Sequence, residues 1–333
     1  MVDEVPGEPR VDREPSPQAG ARDNAGVRVC YQVQSHRSPE QLTRLVTAIR
    51  RMSPTSFVHI SHDRAGVPID EGALEALGDV AVVRDPGGYG DFSHVDRYLW
   101  AVDWLRAEGV AVDWVANITG QDYPLRRLAE CERELQTSGV DGFMDLWRAL
   151  GPESHWGGDA RAISRYYFRH RRLRDLSPRA QRVLRPIQAV NRLQPWFRVH
   201  VSFGLAVGRR VPDPFAPDLE LFAGSCFATL SWPVVEYAVD ELRRRPALVE
   251  HLRHTLAPDE MALHTVIGSS GKFTIDRDPK RYYDFSGSRF NHPRTLTLED
   301  LPRAWASGAH FARKVDGDAH PEVLDAMDRH LGL

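Results

Sequence analysis

The sequence predicts an α/β fold with a mostly parallel central sheet flanked by helices. Short β-branched and aromatic runs alternate with segments whose apolar residues recur at helical spacing. The 333 residues, 42% hydrophobic with 8 Trp and 13 Phe, can fill one large core. Polar and glycine-bearing stretches follow several of the apolar runs, where strands of such a sheet would end and ligands bind.

Residues 1–26 are polar and rich in Pro and charge, which predicts a disordered tail. Val27 to Gln34 reads as the first strand. Pro39 then opens a helix on which Leu42, Leu45, Val46 and Ile49 share one face. Ser56 to Ser61 is the second strand, ending at His62-Asp63; a short helix around Leu74 to Leu77 leads to a third strand, Val80 to Val83. A turn at Gly87-Gly88-Tyr89-Gly90 precedes a long helix carrying Val95, Leu99, Val102 and Leu105. Trp114 to Ile118 is the fourth strand, and Leu128 to Leu135 lies on the next helix. Leu221 to Leu230 predicts a buried strand interrupted at Gly224-Ser225, followed by a helix from Pro233 to about Leu242. A short helix from Pro321 to His330 closes the chain.

Composition excludes several classes. A net charge of -3 gives no general attraction to nucleic acid. Cys30, Cys131 and Cys226 are widely spaced and form no C-x-x-C, so neither a zinc knuckle nor a disulfide framework is indicated and a reducing compartment is the simplest home. No apolar run approaches the roughly 18 residues of a membrane span. The acidic, Pro-rich start is unlike a signal peptide. The expectation is a cytoplasmic protein. Arg161 to Arg198 stands apart: its arginines are interleaved with aromatics and it holds one acid, Asp175. An acceptor-binding or lid insertion, a membrane-surface contact and a solvated helical pair all fit, the last being favoured.

Several stretches could carry chemistry. In Ala257-Pro258-Asp259-Glu260, Pro258 suits a first helical position and the two acids suit a first turn, where the helix dipole favours negative charge. Met261, Leu263, His264 and Ile267 would then form that helix's apolar face. Glu260 would sit at the open end, ionised and aimed outward, as a general base requires. Asp63, at a strand end, suits either hydrogen bonds to a ribose or base or a simple turn. In Gly120-Gln121-Asp122-Tyr123-Pro124-Leu125, the glycine lets the backbone approach a ligand and Asp122 offers acceptors; a turn between strand and helix fits equally. Gly224-Ser225 suits a bulge in a core strand. Arg294 offers a planar fork and Lys314 a compact charge for phosphate oxygens, or both are solvated surface cations. Asp316-Gly317-Asp318 has the carboxylates of a divalent-metal motif.

In that order and spacing, these motifs resemble the core-2/I-branching N-acetylglucosaminyltransferases, glycosyltransferase family 14, which includes the peptide O-xylosyltransferases. The resemblance runs from about Val27 to Asp316. Gly120 to Leu125 matches a Gly-Gln-Asp-Tyr-Pro-Leu; Pro258-Asp259-Glu260 matches a Pro-Asp-Glu with Ala257 in place of Ser; a His-x-Asp becomes Ile60-Ser61-His62-Asp63, so Asp63 carries over and the histidine is displaced. His292-Pro293-Arg294-Thr295-Leu296 and Phe311 to Asp316 match the two cation motifs, with Arg313 a neighbour and Arg289 a substitute for Arg294.

The resemblance implies a GT-A-type nucleotide-sugar-binding domain over 27–318, with 319–333 as a C-terminal helix. It implies inverting transfer from a UDP-sugar, most simply UDP-N-acetylglucosamine, to a sugar, natural-product or peptide hydroxyl. Glu260 would be the general base. Asp63 would meet the uridine, Asp122 would line the donor site, and Gly224 and Ser225 would wall the sugar pocket. Arg294 and Lys314 would clamp the diphosphate. No metal and no cofactor beyond the donor is implied. A xylosyltransferase of the same fold, a metal-dependent transferase using Asp316 and Asp318, and a non-catalytic sugar- or polyanion-binding module are the alternatives.

Overall fold

A computed structural model describes residues 26–286 and 292–333. The predicted tail up to residue 25 and Arg289 lie outside the described residues. The central sheet begins with β1 (Val29–Ser35), β2 (Phe57–Asp63), β3 (Val80–Asp85) and β4 (Trp114–Thr119). These four are parallel, in the spatial order β3-β2-β1-β4. β1, β2 and β4 are buried along nearly their whole length because helices cover both faces. The sheet continues through Ala228–Ser231, antiparallel to β4, then Gly142–Met144 and Ile275–Asp276, giving seven strands. The fold is therefore α/β, with a mostly parallel sheet flanked by helices.

The helices predicted between the first strands form. The first, α1 (Pro39–Met52), buries Leu42, Leu45, Val46 and Ile49 completely. Next come α2 (Glu71–Glu75), α3 (Ser93–Ala107) and α4 (Leu128–Thr137). The closing helix, Pro321–Leu331, packs Val323, Leu324, Met327 and Leu331 into the same core as α1. A second core lies on the opposite face, where α3 and the helix Trp232–Arg244 meet the sheet.

Two predictions of local structure are corrected. Leu221 to Leu230 is two strands in different sheets, Phe222–Ala223 and Ala228–Ser231, because the chain turns at Gly224. The Arg-rich segment is no helical pair. Phe168–Arg174, Leu205–Arg210 and Phe197–His200 form a separate antiparallel sheet, joined by the helical turns Pro178–Leu184 and Arg185–Arg192.

A three-stranded sheet matters most for the site. Phe311–Arg313 lies between Arg281–Tyr283 and Asp122–Pro124, and its register sets Tyr283, Arg313 and Asp122 side by side. Two distant motifs and the intervening strand thus meet at one edge. Arg281, buried beneath, bonds the Asn117 and Ala228 carbonyls and ties this small sheet to the large one.

Candidate active site

Glu260 does not sit in the first turn of a continuous helix. Pro258–Glu260 is a separate 3-10 turn, and the helix begins at Ala262. The turn is held at both ends. The Gly224 N–H donates to the Glu260 carbonyl at 3.0 Å, and the Ala257 N–H donates to the Gly90 carbonyl at 3.2 Å. Ala257 has a left-handed backbone with φ 50°, not the extended conformation of a capping serine. Its missing hydroxyl therefore removes no helix cap.

Glu260 also does not point freely outward. The Arg165 guanidinium, set over the Trp156 and Phe203 rings, donates to its carboxylate. Burial raises the Glu260 carboxyl above its ordinary value, Arg165 opposes that, and the neighbouring Asp259 adds to it. Asp259 itself is pushed up to about 6 by burial, and its Oδ1 has no partner. The arrangement gives a carboxyl raised by burial and opposed by one cation, beside a second carboxyl that burial pushes up to about 6.

Gly224 admits no larger residue in this backbone, since a Cβ there would lie 1.7 Å from the Asp145 carbonyl oxygen. Ser225, expected in a sugar-pocket wall, follows directly: its N–H donates to Asp145 at 3.0 Å and its hydroxyl meets the Tyr283 hydroxyl at 3.1 Å. Tyr283 leads to Asp284, and Asp284 holds Arg294. Glu260, Gly224, Ser225 and Arg294 are thereby linked within one wall.

Lys314 follows the small sheet's central strand, and its carbonyl accepts from the Leu296 N–H at 2.9 Å, so the two cation motifs adjoin. Its ammonium has no carboxylate partner among the described residues. Burial, Arg313 and Arg37 lower its pKa, with Asp316 and Asp122 opposing. Arg294 differs sharply: its guanidinium spans Asp284, at 2.6 Å, and Asp300. It is no free phosphate clamp in this arrangement, because two carboxylates already occupy its donors.

Asp122 is also corrected. It is fully buried, accepts from the Thr119 N–H at 2.5 Å and pairs with Arg313 at 3.2 Å. It holds Arg313 in place and does not line a cleft. Asp63 ends β2 as expected; its carboxylate accepts from the Ala65 N–H at 2.8 Å and packs where any side chain at Gly87 would fall. His62 is fully buried between the Ser35 hydroxyl and the Val67 carbonyl. Asp316 and Asp318 are each engaged within the fold: Asp316 pairs with Arg37 at 2.8 Å and Asp318 accepts from the Ser38 hydroxyl at 2.6 Å. Asp316 thus orients Arg37 rather than Lys314.

Sequence reasoning missed four contributors. Arg165 was one arginine among the eleven from Arg161 to Arg198, with nothing to mark it. The Tyr89 hydroxyl meets His292 Nε2 at 3.0 Å, and both groups lie within electrostatic reach of Glu260 and Arg313. They link Glu260 to the cations Arg313 and Lys314. Asp85, buried with Arg97 at 2.8 Å, accepts from the Gly87 N–H and so fixes the turn that carries Tyr89. A surface hollow of about 540 Å³ between α1 and the closing helix lies elsewhere, and its Arg44 is paired with Asp325 and Asp328.

No protein-family model matches the chain. It is 32% identical over 133 residues to the Arabidopsis thaliana beta-glucuronosyltransferase GlcAT14B, covering 39% of this chain and 29% of that protein. It is 28% identical over 246 residues to beta-glucuronosyltransferase GlcAT14A of the same plant, covering 71% of this chain and 46% of that protein. The chain is similar to plant glycosyltransferases. Both relatives belong to glycosyltransferase family 14, which is the family its motifs resemble. The chain spans less than half the length of these curated relatives.

Proposed function

We propose that the chain is an inverting glycosyltransferase of family 14, with a GT-A-type domain, that moves a sugar from a UDP-sugar to an acceptor hydroxyl. The observation that carries this is the pairing of two features in one wall: a carboxylate held by Arg165 at Glu260, and a half-buried ammonium at Lys314 with no carboxylate partner among the described residues. Glu260 accepts the acceptor's proton as the acceptor oxygen bonds to the anomeric carbon. The bond from that carbon to the diphosphate breaks, and UDP leaves with the electron pair. A positioned base contributes about 10²–10⁴-fold. Lys314, flanked by Arg313 and Arg37, meets the charge growing on the departing diphosphate. Arg294 reaches that diphosphate only by releasing Asp284 or Asp300, so it acts chiefly by anchoring the segment beside Lys314. Asp63 meets the uridine at the carboxyl end of β2. The reaction needs no divalent metal on this reading, since fixed side-chain cations supply the positive charge.

The motif resemblance favours N-acetylglucosamine as the sugar. The relatives' names favour glucuronic acid, whose extra carboxylate would need a cation, and Arg161 lies within electrostatic reach of Glu260. Release of UDP from UDP-N-acetylglucosamine, UDP-glucuronic acid and UDP-xylose, with water as acceptor, distinguishes the donors. Activity with one of them that vanishes in Glu260→Gln supports the assignment. No release from any UDP-sugar, with UDP failing to bind, would leave the non-catalytic sugar-binding alternative standing.

A further inference from the structure

The Arg-rich insertion exposes an apolar ridge that the catalytic reading does not use. Val183 is 76% exposed, Leu193 83% and Trp196 65%, with Ile187, Val190 and Phe197 beside them. These are too many large apolar groups in one short stretch to be scattered surface residues. The ridge is also held rigidly. The Asn191 side chain brackets the Val199 backbone, donating at 2.9 Å and accepting at 2.8 Å. The Gln194 amide brackets Phe197 in the same way, at 2.8 and 2.7 Å. Leu193, Trp196 and Phe197 are therefore presented to solvent by an ordered scaffold.

The charge around the ridge is one-sided. Between Asp175 and Asp213 the chain has seven arginines and no acid, although the whole protein carries a net charge of -3. Arg179, Arg182 and Arg192 are exposed on the same helical turns and have no carboxylate partner among the described residues. Aliphatic side chains at Val183, Ile187 and Leu193 offer nothing to a sugar-phosphate backbone, which disfavours nucleic acid. A bilayer interface accepts both parts: acyl chains take the apolar ridge and anionic headgroups take the arginines.

We propose that this insertion docks the protein on an anionic lipid surface, with Leu193, Trp196 and Phe197 inserted and Arg179, Arg182 and Arg192 over the headgroups. The inference does not depend on the glycosyl-transfer reading, because lipid binding is measured without a donor. The test is sedimentation of the full chain with phosphatidylcholine vesicles, with and without phosphatidylglycerol. The protein should sediment with the anionic vesicles, release at high salt, and ignore the neutral ones. Leu193→Ser with Trp196→Ser should abolish sedimentation. Replacing Arg179, Arg182 and Arg192 by Gln should weaken it about a hundredfold, at roughly fivefold per arginine. Circular dichroism should show both variants folded. Failure of the wild type to bind anionic vesicles at low salt, or equal binding by both variants, overturns the proposal. Concentration-dependent dimerisation that Leu193→Ser abolishes, without vesicle binding, would assign the ridge to a second copy of the chain.

Discussion

Replacing Arg165 by Gln tests the electrostatics at Glu260 most directly. Arg165 is the only cation in hydrogen-bond contact with that carboxylate among the described residues, and its guanidinium is largely buried. Two unit charges at about 4 Å interact by about 4 kcal/mol at an effective dielectric of 20. The Glu260 side chain is 33% exposed, so solvent screening reduces that figure substantially. A residual of about 1.5–3 kcal/mol corresponds to a pKa change of roughly one to two units, at about 1.4 kcal/mol each. The sign follows from the base's role. Arg165 favours the ionised carboxylate, so its loss raises the Glu260 pKa. Activity requires the ionised form, so the acid limb of the kcat/KM profile should move up by roughly one to two pH units. Asp259 also feels Arg165 and should move the same way. The assay is UDP release against pH for wild type, Arg165→Gln and Arg165→Lys, the lysine partly restoring the limb. An acid limb that stays put or moves down in a folded Arg165→Gln protein would refute the assignment of Arg165 as the group that keeps Glu260 ionised.

Four further outcomes follow from the same geometry. Glu260→Gln should lower turnover by at least about 10²-fold while UDP affinity, measured by calorimetry, stays near wild type. Lys314→Ala should weaken UDP binding and lower kcat without rescue by Mn²⁺, and wild-type transfer should persist after exhaustive EDTA treatment; activity restored only by Mn²⁺ and lost in Asp316→Asn would support the metal-dependent alternative. Gly224→Ala should cost about 1–3 kcal/mol in urea denaturation, as expected for overpacking, and should lower kcat by shifting the Glu260 turn. Asp300 is drawn upward by burial but more strongly downward by Arg294 and Thr297, to about 2, below the ordinary value of about 3.9. A depressed carboxyl stabilises above its unfolded value and loses that contribution as pH falls from about 4 through 2, so wild type should lose roughly 2 kcal/mol there that Asp300→Asn does not.

The alternating core was legible because each of its strands and helices writes its own periodicity. Leu42, Leu45, Val46 and Ile49 on α1 face the sheet, and β1, β2 and β4 are buried along nearly their whole length. The insertion was not legible for the same reason. Phe168–Arg174 buries only Phe168 and His170, so its sequence carries hardly any strand pattern and its arginines suit a helix equally well. Leu221 to Leu230 reads as one strand because its apolar residues are nearly continuous; the break comes from the tertiary contact of Gly224 with Asp145. Motif spacing singled out Glu260 and Lys314, but it could not say which charged groups stay open to a ligand and which are tied up by the protein's own charges. Asp122 and Arg294 both belong to that second kind.

The contrast between Arg294 and Lys314 has an electrostatic consequence for the whole site. Arg294 is neutralised within the fold by two carboxylates, so an arriving diphosphate gains little there unless an existing ion pair opens. Lys314, Arg313 and Arg37 are a like-charged group. Asp122 is already bonded to Arg313, and Asp316 to Arg37. Lys314 therefore receives only weak compensation, which is why burial and its two neighbours hold its pKa down. A ligand bearing several negative charges relieves that repulsion, and a neutral sugar does not. On the proposed function, part of the affinity for a nucleoside diphosphate would therefore come from repulsion already present in the free protein. It follows that binding should strengthen further as the leaving group gains charge, which is the differential stabilisation a departing UDP requires.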